Sequence, residues 1–170
     1  MREGMTDGMM AVIPPLMMLL AILLTLLPIN LGENTTPHLE VIILFFWTIY
    51  RPLPVWVVLA CGVLMDITSG VALGVYPAVY LLTTIVAQQL MTRLKSPSLW
   101  HLWGYFILVL VIFVLTLWLM VMLSHQGFVA WHRSQLFALG LTVALFPLFV
   151  YPLLSLLRWM HRHGYQLQSS

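Results

Sequence analysis

Hydrocarbon side chains fill most of this chain, and polar residues appear mainly as short interruptions. Six apolar segments stand out between prolines, glycines, asparagines and charges, at 9–29, 37–50, 55–68, 71–91, 99–123 and 136–160. A helix crossing a bilayer needs about 20 apolar residues, with a range of roughly 17–25. The first, fourth, fifth and sixth segments meet that length. The second and third hold 14 residues each and reach only about 21 Å, short of a hydrocarbon core of about 30 Å. A re-entrant hairpin made of those two would leave Arg51 at mid-bilayer, which is costlier than short helices that thin the membrane locally. The pattern therefore predicts an all-α, polytopic membrane protein: one transmembrane domain of six helices spanning residues 1–170.

Proline and glycine mark where those helices stop. Tyr50-Arg51-Pro52-Leu53-Pro54 separates the second helix from the third, because each proline biases its predecessor toward extended backbone. The third and fourth segments cannot be one helix: Val55 to Thr92 is 38 residues, or about 57 Å. The break is expected at Ser69–Gly74, with Pro77 in the first turn of the fourth helix, where its missing N–H costs little. Pro147 and Pro152 are expected to kink the last helix so that it curves around its neighbours, with a functional hinge as the alternative.

Composition excludes several classes. The chain is 62% hydrophobic and 7% charged, against about 25% charged in soluble domains, and its mean hydropathy is +1.01. The net charge of +2, with no long basic stretch, argues against nucleic acid as a partner. The single cysteine, Cys61, allows no internal disulfide and reads as a small packing residue. The first apolar run is longer than a signal-peptide core and lacks spaced small residues for cleavage, so it reads as an uncleaved span.

Charge then sets orientation. With six spans, Arg2, Arg51, Arg93, Lys95, Arg158 and Arg162 fall on one side, and of the seven basic residues only Arg133 falls on the other, with Glu33 and Glu40. The positive-inside rule puts both termini in the cytoplasm. Arg51, Arg93, Lys95, Arg158 and Arg162 read as cytoplasmic anchors to anionic membrane lipids. Trp47, Trp56, Trp100, Trp103 and Trp159 are expected at the inner boundary as an aromatic belt, with Trp131 at the outer one. Trp118 lies deepest and needs a packing role.

Candidate chemistry narrows to one residue. Asp66 is the only acidic residue after Glu40, and a carboxylate at a bilayer centre costs about 2.5–3.5 kcal/mol. It reads as the lone intramembrane acid. Asp66 and Ser69 are expected to accept hydrogen bonds from the 68–74 amides, which lipid cannot satisfy, while Gly70 and Gly74 permit left-handed backbone. A partner-facing role and proton or ion handling stay open as alternatives. Gly62, four residues before Asp66, offers a small patch for close helix approach. The histidines, His38, His101, His125, His132, His161 and His163, pair with no second ligand at helical spacing. No Ser/His/Asp order, paired carboxylates or H-E-x-x-H motif appears, so neither catalysis, nor a metal, nor a cofactor is expected.

The segment Gly62-x-x-x-Asp66-x-x-Ser69-Gly70-x-x-Leu73-Gly74 resembles the most recognisable motif of the MreD family, bacterial rod-shape-determining membrane proteins. Pro37 with the apolar run ending in Phe46-Trp47 is similar to that family's second helix, and Tyr151-Pro152 with the run to Arg158 to its last. Tyr76 departs from it, standing where a polar or basic residue is expected. The resemblance implies a non-enzymatic scaffold of the peptidoglycan elongation machinery. Its implied partners are MreC and, through it, the RodA glycosyltransferase, an elongation-class penicillin-binding transpeptidase and the actin-like MreB. It also implies a six-helix bundle like the S-components of energy-coupling-factor transporters, which makes a vitamin-binding transport component the alternative function. The first helix lacks the alanine-x-x-x-alanine docking face of such components.

Overall fold

Six helices follow the six apolar segments in the computed structural model, which describes residues 3–26, 36–50, 53–92, 99–125 and 133–165. They are α1 (Glu3–Leu26), α2 (Leu39–Tyr50), α3 (Val55–Ser69), α4 (Val75–Met91), α5 (Leu99–His125) and α6 (Arg133–Tyr165). Among the described residues there is no strand. Arg51, Arg93 and Lys95 lie outside the described residues, as do Arg2, Glu33, Trp131 and His132.

Among the described residues two helices, over Trp100–Leu123 and Gln135–Ser155, are long and apolar enough to cross a membrane. The shorter apolar stretches are Val12–Thr25, Leu39–Tyr50, Val55–Ser69 and Val75–Leu90. The fourth segment is shorter than its hydropathy suggests because the turn before Val75 absorbs residues 71–74. Prolines do not end the helices they fall in: α1 runs through Pro14 and Pro15, and α6 through Pro147 and Pro152.

The shortest helix is the central one. From Leu39 through Thr48 every residue of α2 is buried, the mark of a helix enclosed on all sides. It packs against α1, α4, α5 and α6. The others form an arc in which α1 meets α3, α3 meets α4, α4 meets α5 and α5 meets α6. An aromatic knot joins α2, α5 and α6. Phe106 stacks on Phe146 at a centroid distance of 4.1 Å, and Phe45 meets both edge-on at 5.4 and 5.9 Å. Such pairs add about 0.5–1.5 kcal/mol each beyond their buried area.

Trp47 corrects the aromatic-belt expectation. It is 1% exposed and touches Phe46 edge-on, because α2 has no outer face to present it on. Trp56 and Trp100 are exposed, as belt residues should be. Trp103 is half-buried, and its indole N–H donates to the Val143 carbonyl at 3.3 Å. That carbonyl is the one Pro147 leaves without its i+4 donor. A residue on α5 thus repairs the defect that proline creates in α6.

Candidate functional site

The α3–α4 corner is built from Asp66 outward. Gly70 ends α3 in the left-handed region, at φ 68°, and its N–H donates to the Asp66 carbonyl at 3.1 Å. Gly74 opens α4 at φ 101°. Its N–H donates to Asp66 Oδ2 at 2.6 Å, and the Tyr76 N–H donates to Oδ1 at 2.9 Å. The carboxylate, 1% exposed, therefore caps the first turn of the next helix, where the backbone dipole favours negative charge. An L residue at either glycine would be strained by its backbone alone, since open space surrounds both.

Gly62 fits the same corner from below. A Cβ there would stand 2.5 Å from both the Cα and the N of Pro77, so α3 and α4 approach at a distance that only glycine allows. Two motif residues do otherwise. Ser69 accepts none of the turn's amides; its hydroxyl donates back to the Met65 carbonyl, and Asp66 is the one side chain that accepts them. Leu73 is 76% exposed and takes no part in the corner's packing. Tyr76 is buried, and its phenol lies beside the Ser69 hydroxyl.

A second carboxylate was hidden from sequence reasoning. Glu40, near the outer end of the second segment, sits in the first turn of α2 with no exposed surface. Asp66 is consequently not the lone buried acid. Thr25 Oγ1 of α1 donates to Glu40 Oε2 at 2.7 Å, and His38 Nδ1 lies 3.0 Å from Oε1. The His38 N–H donates to Thr142 Oγ1 of α6 at 2.9 Å, and Thr142 in turn donates to the Ala138 carbonyl. Phe113 of α5 meets the His38 ring edge-on and stacks on Tyr80 of α4. Tyr76, whose N–H holds Asp66, meets Tyr80 edge-on at 5.8 Å, and Tyr80 stacks on the Phe113 ring that meets His38 beside Glu40, so the two acids share one end of the bundle. Helices α1 to α4 and α6 bring polar groups to this end of the bundle, and α5 brings the Phe113 ring. Among the described residues, Tyr80 Oη and Trp47 Nε1 are buried without a hydrogen-bond partner.

Of the basic anchors, Arg158 is exposed, with its Nε donating to the Leu154 carbonyl at 3.3 Å. The side chain of Arg162 lies outside the described residues. Pro147 and Pro152 are both exposed on α6. No three His, Cys, Asp or Glu among the described residues converge to hold a metal ion. No family model, characterised protein or solved structure matches the chain.

Proposed function

We propose that this chain is an MreD-like, six-span protein of the bacterial inner membrane, with both termini cytoplasmic and a bundle like that of the S-components. It acts without catalysis, as a scaffold that binds MreC. Through MreC it is linked to RodA, to the elongation-class transpeptidase and to MreB, and so to cell shape and lateral peptidoglycan synthesis. The observation that carries the reading is the corner itself. The residues of the MreD-like motif that have chemistry to offer, Gly62, Asp66, Gly70 and Gly74, are used on one another and on Pro77 and Tyr76. A motif spent on rigid geometry suits a scaffold. The exterior agrees with it, since α1, α3 and α5 carry exposed leucines, valines and isoleucines along their lengths.

The transport reading asks for polar groups around a ligand cavity. The groove between α1, α2 and α6 is lined only by apolar side chains, which suits hydrocarbon better than a vitamin. Co-expression with tagged MreC, followed by detergent extraction and affinity capture, tests the scaffold. The wild-type chain is expected in the eluate at a fixed ratio to MreC. A chain that reaches the membrane yet is never captured would sink the reading.

A further inference from the structure

Glu40 is enclosed with little around it to hold a negative charge. It has no exposed surface, and it opens the helix on which α1, α4, α5 and α6 all pack. Among the described side chains no lysine or arginine pairs with it. Its one ion-pair candidate is His38, whose Nδ1 lies 3.0 Å from Oε1. The surrounding helices bring no other cation to this end. There α1 presents Thr25, α5 presents Phe113 and α6 presents Thr142, none of which titrates. From α4 come the Tyr76 and Tyr80 phenols, and Tyr76 in turn holds the second acid, Asp66 of α3. A carboxyl group in such surroundings tends to be neutralised rather than kept as a bare charge.

Counting hydrogens leads to the same place. Thr25 Oγ1 lies 2.7 Å from Glu40 Oε2 and 2.9 Å from the Ala21 carbonyl oxygen, yet a hydroxyl has one hydrogen to give. An ionised Glu40 only accepts, so the Thr25 hydroxyl and His38 Nδ1–H supply two hydrogens for three contacts. A proton on Oε2 makes three for three. Oε2–H then donates to Thr25 Oγ1, the Thr25 hydroxyl turns to Ala21, and Nδ1–H donates to Oε1. The heavy atoms already stand where this form needs them.

We infer that Glu40 is a proton-binding site, occupied at neutral pH, in which Thr25 and His38 hold the neutral carboxylic acid. This goes beyond the scaffold reading and does not depend on it. The bound proton becomes the link between α1 and α2, since it is the hydrogen that bridges Oε2 and Thr25.

Infrared spectroscopy of the full chain in lipid nanodiscs at neutral pH tests the site, because only a protonated carboxyl shows the acid carbonyl stretch. The wild type is expected to show that band and to shift it when its glutamates are isotopically labelled. Glu40→Gln should abolish it, while its amide keeps a donor for Thr25 and an acceptor for Nδ1; Asp66→Asn should retain it. The chain has three glutamates, Glu3, Glu33 and Glu40. In a Glu3→Gln, Glu33→Gln double variant the labelled band should therefore persist at full intensity, which keeps the test decisive even where Glu40→Gln does not fold. A wild type without the band would overturn the inference and leave an ionised Glu40 paired with a charged His38. A band that survives Glu40→Gln, vanishes in the double variant, or is removed by Asp66→Asn alone would overturn it equally.

Discussion

A single carboxylate satisfies two backbone donors at the α3–α4 corner, so removing it should cost more than one hydrogen bond. Asp66→Ala orphans the buried Tyr76 N–H, at about 1–3 kcal/mol, and the part-buried Gly74 N–H, which water reaches and which costs less. Asp66→Asn keeps one acceptor oxygen and should fall between Ala and wild type. Thermal unfolding in detergent, read in the order Ala, Asn, wild type, checks this; equal midpoints for all three would show that the corner does not depend on Asp66. At the second acid, Thr25→Val and Glu40→Leu remove opposite ends of one 2.7 Å bond. Their destabilisations should therefore be less than additive, with a coupling of about 0.5–1.5 kcal/mol in a double-mutant cycle. The two acids also differ in how visible they are in sequence. Asp66 stands out because hydrocarbon flanks it and glycines follow. Glu40 stands at the outer end of its segment, just after the polar run Asn34, Thr35 and Thr36, where a carboxylate needs no buried partner, and its partner Thr25 lies 15 residues away inside an apolar run. Nothing local reports that contact.

Proline defects and glycine contacts decide how the helices fit. Trp103→Phe should destabilise by about 1 kcal/mol, the net worth of a hydrogen bond, by leaving the Val143 carbonyl unpaired. In a Pro147→Ala background the backbone N–H restored at that position can donate to the same carbonyl, so Trp103→Phe should cost much less there. A full cost in that background would show that the indole bond is incidental. Gly62→Ala pushes a methyl group into the Pro77 backbone and should cost about 1–3 kcal/mol. The number of helices and the break between α3 and α4 were legible because length, glycine and proline govern both. Which residues face inward on α2 was not. A helix buried around its whole circumference shows no stripe, and for that reason Trp47 resembled a boundary residue.

Across the whole molecule, five helices curve around a short sixth, and the proposed six-span topology puts both chain ends on one side. A C-terminal fusion should make a cytoplasmic fluorescent reporter active and a periplasmic phosphatase inactive. A fusion at Leu73, the exposed tip of the α3–α4 corner, should give the reverse. The same pattern at both points would refute the topology. The corner also bears on how such a chain enters a bilayer. Asp66 finds its donors 8 and 10 residues downstream, so while α3 alone has left the ribosome its carboxyl has no partner. Only after Gly74 and Tyr76 follow can the carboxylate be enclosed. On that topology α3 and α4 are expected to enter the lipid as one unit, the corner closing once the start of α4 reaches the membrane beside Asp66.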